Sequence, residues 1–487
     1  MGTIEVNPQA ETPPAVPRPQ VADGLPESES SSLQGFGFEA VRVWIARVLG
    51  VDRAIGFTVL ARLWASAAGL VTVFLIVRFL SPAEQGYYYT FGSLVALQIM
   101  FELGFSFVIL QMASHERAHL DISPEYEITG SPIMHARLAS IIQKSVRWYS
   151  GGAILLALFL SVVGFYFFST HQHAGAPVSW RAPWFTVAIA TAITFQIDPI
   201  LSFMEGCGFV SSVAGLRLQQ AVIGSILAWT ALLSHHGLFA PTMVIAGNVL
   251  TASPWLYARR KLLLGLLRHK PDSHRIEWST EVWPFQWRIA VSWLSGYFIY
   301  QLFNPVLFAY HGPIAAGRMG MSLTLANALQ AIAISWINTK AAPFGTMVAR
   351  KSYYELDRVF FTALKQSVSI FLAGAFLIWC FSLYLKATHR HFGQRILDPD
   401  IFGVLLLSTA INVAVFGLAA YLRAHKRERM LLNSVIGAVL VTSSTYLLGR
   451  RYGAEGMVLG NFAAALLFGL PSAAFIFVKY RRIWHAI

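Results

Sequence analysis

Long apolar segments separated by short polar connections follow one another along most of this chain. Each segment is ~18–26 residues long, which lets a helix rising ~1.5 Å per residue cross the ~30 Å hydrocarbon core of a bilayer. The pattern predicts twelve spans, near residues 56–80, 88–112, 145–168, 183–204, 213–234, 238–258, 286–310, 317–343, 360–385, 400–422, 430–448 and 454–478. We therefore expect an all-α integral membrane protein with about 12 transmembrane helices.

The composition agrees with this interpretation and excludes other classes of protein. Of the 487 residues, 55% are apolar and 13% are charged, whereas a soluble domain carries about 25% charged residues. In a membrane protein, the net charge of +13 marks cytoplasmic loops and not a nucleic-acid partner. Cys207 and Cys380 stand apart, without a CxxC or Cys/His spacing, so no disulfide framework, metal site or cofactor is expected.

The distribution of basic residues predicts the orientation of the chain. If the N-terminus is cytoplasmic, most lysines and arginines fall in cytoplasmic loops, and the connection 259–285 is the most basic of them. The positive-inside rule then predicts a multi-pass protein of the inner (plasma) membrane with both termini in the cytoplasm.

The chain divides into five predicted regions. Residues 1–35 are rich in Pro and Ser and are expected to form a disordered cytoplasmic tail. Residues 36–52 place Val41, Trp44 and Ile45 on one helical face, which predicts an amphipathic helix on the membrane surface; an extension of the first span is the alternative. The other three regions are an N-terminal six-helix bundle (53–258), a cytoplasmic linker (259–285) and a C-terminal six-helix bundle (286–487).

An internal repeat relates the two bundles. Pro82 and Gly86 stand at the start of the second span, Pro313 and Gly317 stand at the start of the eighth, and the same number of positions separates both pairs. Parallel repeats are a transporter architecture with a substrate path between the halves, so the two pseudo-repeated bundles are expected to surround a central cavity. Ordinary turn chemistry is the alternative explanation.

Two ionisable residues lie deep in the first helical hairpin. Arg62 and Glu102 are both roughly 20 Å below the connection between the first two spans, at ~1.5 Å per residue. A charge inside the membrane costs ~2.5–3.5 kcal/mol on insertion scales. We expect the two side chains to face each other or to share a water-filled cavity. The alternatives are a neutral buried acid for Glu102 and an Arg62 that snorkels to the surface.

Other polar side chains in the spans are candidates for the same cavity. Asp198 precedes Pro199 and is a candidate site for a proton or cation, as is Glu102; a helix-end acid near water is the alternative for Asp198. Gln196, Asn327 and Gln330 are candidates to line the cavity, with hydrogen bonding between helices as their alternative role.

Four segments carry a resemblance to a known family: RFLSPAEQGYYYTF at 78–91, FELG at 101–104, YLRAHKRE at 421–428 and YGAEGM at 452–457. They resemble bacterial polysaccharide biosynthesis proteins, the lipid-linked oligosaccharide flippases of the MATE-like (MOP) transporter superfamily. The resemblance implies two six-helix bundles around a cavity. It also implies transfer of a polyprenyl-pyrophosphate glycan from the cytoplasmic to the outer leaflet of the bacterial inner membrane, for lipopolysaccharide or exopolysaccharide synthesis.

The resemblance implies roles for individual residues as well. Such cavities are cationic in order to hold a diphosphate, and Arg62, with Lys340 and Arg288 near the inner mouth, would supply the charge. The chain departs from this pattern because few bases lie deep in its spans. Coupling to H⁺ or Na⁺ would act on Glu102 or Asp198, and glycosyltransferases or a polymerase are implied as contacts.

The sequence leaves three functions to compare. Ion-coupled flipping of a lipid-linked oligosaccharide fits two repeated bundles with few intramembrane charges. A MATE-type drug/cation antiporter, in which deep acids bind H⁺ or Na⁺, is the alternative. A membrane glycosyltransferase or polymerase is disfavoured because such enzymes need a sizeable outer loop, and the longest predicted outer loops, 169–182 and 386–399, are short. No ATPase, zinc protease or serine hydrolase motif occurs either, so we do not expect an enzyme.

Overall fold

The computed structural model describes residues 53–171, 178–270, 276–425 and 429–485. The predicted tail (1–35) and surface helix (36–52) lie outside these residues. The helices of the N-terminal half are α1 (Arg53–Phe79), α2 (Pro82–Val95), α3 (Ile99–Glu102), α4 (Phe105–Arg117), α5 (Pro132–Thr170), α6 (Arg181–Gly206), α7 (Val210–Leu233), α8 (Ala240–Ala258) and α9 (Arg260–Arg268). Those of the C-terminal half are α10 (Trp283–Tyr300), α11 (Phe303–Asn338), α12 (Ala341–Ala349), α13 (Tyr353–Ala387), α14 (Pro399–Ala424), α15 (Leu431–Ala464) and α16 (Leu470–His485).

The all-α membrane fold is confirmed. In the described part of the chain, eight helical stretches are long and apolar enough to cross a membrane, or nine if the bent pair Pro82–Glu102 and Phe105–Arg117 counts as one span. Two stretches, Ile289–Ala349 and Leu431–His485, run to 61 and 55 residues. At ~1.5 Å per residue, each is more than twice the ~30 Å thickness of the hydrocarbon core. The protein is therefore multi-pass, and the count of twelve stays a prediction.

Glycines break two of the long helices. Gly312 in α11 has φ 86° and ψ 174°, and Gly453 in α15 has φ 61° and ψ −141°. Glycine adopts positive φ without the steric cost that a Cβ imposes. Each glycine lies at a predicted connection between spans, so the chain changes direction there without a long loop.

The start of α2 follows from local sequence. Ser81 is its N-cap, Pro82 occupies the first turn, and Glu84 completes a capping box. The Ser81 amide donates to Glu84 Oε2 at 2.8 Å, and the Glu84 amide donates to Ser81 Oγ at 3.2 Å. Two amides that would otherwise lack partners at the helix start are thereby satisfied.

In each half, two helices pack against several of the others. In the N-terminal half, α7 packs on α1 and α8, while α6 packs on α4, α5 and α8. In the C-terminal half, α15 packs on α10 and α11, and α13 packs on α11 and α14.

We call the end of the molecule that carries Ser81, Gly312 and Gly453 the Ser81 end, and the opposite end, where α8 meets α9, the Arg259 end. The loop bases predict that the Arg259 end is cytoplasmic.

Two local features differ from the predicted pattern. A short antiparallel hairpin, β1 (Leu120–Ile122) and β2 (Ile128–Gly130), pairs Leu120 with Gly130 between α4 and α5. The predicted span 88–112 is interrupted after Glu102 instead of being one straight helix. This interruption positions the candidate site.

Candidate functional site

Glu102 is the last residue of α3, and the chain bends directly after it. Leu103 and Gly104 both adopt left-handed backbone angles, with φ of 49° and 71°, and the two parts of the span meet at 44°. A Cβ at Gly104 would lie 2.4 Å from Ile289 Cγ2 of α10. The break therefore needs glycine for both backbone conformation and space. It sets Glu102 beside the C-terminal half, because α3 contacts α10.

Three helices of the N-terminal half bring polar groups to Glu102. Ser106 of α4 follows four positions after Glu102 and lies close enough to interact with its carboxyl group. The Ser106 and Tyr149 hydroxyls are 3.3 Å apart, and Tyr149 of α5 is fully buried. Glu102 and Asp198 of α6 are close enough to interact electrostatically with Tyr149 and with each other. We call Glu102, Ser106, Tyr149 and Asp198 the acidic site.

Asp198 is exposed in the middle of α6, between buried stretches of the same helix. Thr191, two turns earlier on the same helical face, is only 2% exposed, whereas Asp198 is exposed. The residues after it, Leu201 to Met204, are buried again. Pro199 has no amide hydrogen to donate, which leaves a backbone carbonyl of the preceding turn without its helical partner. An exposed carboxyl group at such a point can bind a proton or a cation.

A base within electrostatic range of Asp198 is already paired with another acid. Arg217 of α7 lies within electrostatic range of Asp198, but its Nη2 contacts Glu205 Oε2 at 3.4 Å. Among the described residues, neither Glu102 nor Asp198 forms an ion pair with a base. Two carboxyl groups that share a site repel each other when both are charged, so this site favours a shared proton or a bound cation.

The structure does not join Arg62 to Glu102. Arg62 is exposed on α1, which packs on α7, whereas α3 packs on α10. Within the described residues no ion pair links the two side chains, and the expectation that they face each other or share a water-filled cavity stays a prediction. The equal depth of the two residues was inferred from helix rise alone, and rise does not set the direction in which a side chain points.

The remaining predicted residues are spread over α6, α10, α11 and the residue positions just after α11. Gln196 is on α6, where its Oε1 is buried without a hydrogen-bond partner among the described residues. Asn327 is exposed and Gln330 half-buried on α11, and Lys340 is exposed just beyond the end of α11. The side chain of Arg288 lies outside the described residues. Their predicted roles as cavity residues stay predictions.

The Ser81 end is closed by direct contact between the two repeat motifs. A Cβ at Gly86 would lie 1.9 Å from the Pro313 carbonyl oxygen, and one at Gly317 would lie 3.0 Å from the Gly86 amide nitrogen. The repeated Pro and Gly positions of α2 and α11 thus face each other across the boundary between the halves. We call this contact the glycine seal.

A buried polar network surrounds the glycine seal. Gln85 is 1% exposed, and its Nε2 donates to the carbonyl oxygens of Gly317 at 2.8 Å and Arg395 at 3.0 Å. Arg395 Nη2 donates to the Leu80 carbonyl at 2.7 Å. The sequence analysis did not single out Gln85, Arg395, Ser106 or Tyr149. The adjacency of Gln85 to the repeated glycine was the one signal available for any of them.

A second polar contact ties the linker to the N-terminal half at the Arg259 end. Arg137 of α5 donates from Nε to Glu116 Oε1 at 3.0 Å and from Nη2 to Glu281 Oε2 at 2.6 Å. Lys144 Nζ donates to the Ile276 carbonyl at 2.9 Å. The hydrogen bond from Arg137 holds the pKa of Glu281 below its ordinary value, because it stabilises the charged carboxylate.

Comparison with known proteins identifies the fold. No protein-family model matches this chain, and no curated protein matches it in sequence. Similar solved structures include a multidrug resistance MATE family transporter of the MOP superfamily in an inward-facing conformation (TM-score 0.55, 14% identity, 91% of this chain and 99% of that chain). They also include the lipid II flippase MurJ, inward closed (0.53, 13%, 88% and 90%), and the MATE multidrug transporter DinF-BH (0.55, 13%, 89% and 96%). At these identities the likeness shows the fold, which is that of MOP-superfamily transporters.

Proposed function

We propose that this protein is a secondary transporter that moves a lipid-linked oligosaccharide across the membrane by alternating access. Two observations support transport as such. The chain has a fold seen in transporters of drugs and of a lipid, and the glycine seal closes one end while Asp198 stays exposed in the middle of α6. Alternating access needs a substrate site that is closed toward one side of the membrane while it is open toward the other side.

The packing of α1 favours an amphiphilic substrate. Near the Ser81 end, Val73 and Ile76 of α1 share a buried core with Met321 of α11. Between residues 58 and 67, by contrast, α1 has no buried residue and is exposed on nearly all sides. We propose that the sides of α1 left unpacked in this stretch open a lateral gap toward the other half. Such a gap lets a lipid tail stay in the bilayer while its head group occupies the cavity, and the exposure of α1 is the observation that carries the proposal.

The acidic site favours coupling to a cation. Glu102 and Asp198 lie together without a described base in an ion pair, so they can exchange protons or Na⁺ between the two sides. The same feature supports a second candidate, a drug/cation antiporter, because unpaired acids also attract cationic compounds. Arg62, Lys340 and Arg288 are the bases available for a diphosphate in the flippase proposal.

Vesicle transport measurements distinguish the two candidates. The full chain is reconstituted with a polyprenyl-pyrophosphate oligosaccharide, and the share of glycan accessible to an external glycosidase is followed with and without a pH gradient. The flippase proposal predicts gradient-dependent movement of the glycan and little uptake of a cationic dye. Uptake of the dye without glycan movement would support the antiporter and overturn the flippase proposal.

A further inference from the structure

A cavity at the Arg259 end shares no lining residue with the acidic site. It measures about 450 Å³ and lies between the ends of three helices. Its lining comes from α1 (Arg53, Phe57), α7 (Ser211, Ser212, Gly215, Leu216, Gln219), and α8 with the residue that follows it (Trp255, Arg259). Two arginines and several hydroxyl and amide groups thus share a cavity with aromatic walls.

Arg259 is held rigidly toward this cavity. Its Cζ lies 3.7 Å from the centroid of the Trp255 ring. Nη1 donates to the Trp255 carbonyl at 3.0 Å, and Nη2 donates to Ser212 Oγ at 2.7 Å. Trp255 Nε1 also donates to Ser212 Oγ at 3.1 Å, so the Ser212 hydroxyl accepts twice and keeps its own proton for another acceptor. A guanidinium fixed in this way loses little entropy when it binds a phosphate.

The positive charge of the cavity is not neutralised by any acidic residue among the described residues that line it. Arg53 and Arg259 are cationic, and no carboxylate is among the described residues that line it. Arg259 Nε is buried and has no hydrogen-bond acceptor within the described chain. Arginine forks match the geometry of phosphate oxygens and bind them strongly. The lining therefore suits an anion with several oxygen acceptors.

The neighbouring helix α9 places the cavity near the lipid head groups. Leu262 and Leu266 of α9 are buried, whereas Arg260, Lys261 and Arg268 lie on its other faces. A short helix with this pattern is typical of the membrane–water interface. Beside the cavity, Ile55 and Val59 of α1 are exposed and offer an apolar path for an acyl chain.

We propose that this cavity binds the phosphate group of an anionic phospholipid of the leaflet at the Arg259 end. Arg53 and Arg259 hold the phosphate, Ser212 and Gln219 hydrogen-bond to the head group, and Phe57 and Leu216 contact its glycerol and acyl carbons. The site does not depend on what the protein transports, because it involves none of the acidic-site residues.

The test measures lipid binding to the full-length protein in detergent by native mass spectrometry and thermal unfolding. Phosphatidylglycerol is compared with phosphatidylcholine, inorganic phosphate and glycerol phosphate. Phosphatidylglycerol is expected to bind and raise the unfolding temperature, and Arg53→Gln is expected to weaken binding roughly fivefold, since a base near the surface contributes about that much. Arg260→Gln removes the same charge from α9, where Arg260 lies over the Tyr257 ring, and is expected to change binding little.

Arg259→Lys provides a second variant, which keeps the positive charge but loses the planar guanidinium that can bind two phosphate oxygens at once. It is expected to weaken lipid binding more than Arg260→Gln does. Equal binding of phosphatidylcholine and phosphatidylglycerol would overturn the proposal, as would equal effects of Arg53→Gln and Arg260→Gln. Equal affinity for inorganic phosphate or glycerol phosphate would overturn the assignment to a lipid.

Discussion

The two halves of this protein carry Pro and Gly at matching positions but differ at the position of Glu102. Counted from the repeated Pro and Gly, the position in α11 that corresponds to Glu102 is Ala333. Ala333 is fully buried in continuous helix, and its carbonyl accepts a hydrogen bond from Ser367 at 2.7 Å. Glu102, by contrast, ends a helix at a left-handed break and lies within electrostatic range of Asp198. The common scaffold closes the Ser81 end, and the acidic site belongs to one half.

An acid of the C-terminal half differs from the two acids of the acidic site. Asp357 of α13 accepts hydrogen bonds from Arg481 Nε and Tyr421 Oη, both at 2.9 Å. This acid is neutralised and ties three helices of the C-terminal half together. Glu102 and Asp198 have no such partner among the described residues. An acid that is neutralised by arginine holds helices together, whereas an acid that lacks a base stays available to bind an ion.

The largest expected effect comes from removing the charge of Glu102. If the acidic site couples transport, Glu102→Gln should lower gradient-driven transport in vesicles by about a hundredfold, an order typical of a lost proton-transfer group, while the unfolding temperature changes little. Glu205→Gln is the matched control, since Glu205 already contacts Arg217. Normal transport by a folded Glu102→Gln protein would remove the distinction between the halves.

The glycine seal allows a direct comparison of matched positions. Gly86→Ala should destabilise the closed form by roughly 3 kcal/mol, because overpacking costs about 1–3 kcal/mol and the new Cβ meets a backbone oxygen that cannot move aside. Gly317→Ala should cost less, since its nearest neighbour would lie at 3.0 Å. Thermal unfolding in detergent measures both. Gly92→Ala, with nothing within 4 Å, is the control, and equal losses for all three variants would contradict the asymmetry.

The break beside Glu102 should be sensitive to a single methyl group. Gly104→Ala is expected to cost about 1–2 kcal/mol, because an L-residue is strained at positive φ and Ile289 must shift. The readout is the unfolding temperature together with transport, which should fall if the break positions Glu102. A variant as stable and active as the original protein would show that the break is not needed.

The smallest expected effect is the pH dependence of the linker contact. The folded-state pKa of Glu281 is lowered, so its contribution is fully present above the ordinary glutamate pKa and is lost as the pH falls through the folded-state value. Unfolding temperatures measured from pH 7 downward should therefore converge for the original protein and Glu281→Gln at the acid end. Glu277→Gln is the control, and a constant gap at every pH would contradict this linkage.

Local sequence was sufficient for several features and insufficient for others. The Ser81 capping box and the turns at Gly312 and Gly453 follow from residues close to one another in the chain. The equal depth of Arg62 and Glu102 along their helices was not enough to place the two side chains together, because depth along a helix says nothing about rotation around it. Tyr149 could not be foreseen as a neighbour of Glu102, since it reaches the acidic site only through the packing of α4, α5 and α6.

By itself, the sequence determined that this chain is a multi-pass helical membrane protein, and it showed Pro and Gly at matching positions of two predicted connections, because hydrophobic length and turn residues act locally. The tertiary structure decided which distant groups come near one another. Gly86 contacts Pro313, Glu102 lies within electrostatic range of Asp198, and Arg53 and Arg259 line one cavity. These contacts depend on how helices rotate, bend and pack against one another. That geometry is set by the fit of many side chains at once and cannot be read from any single segment.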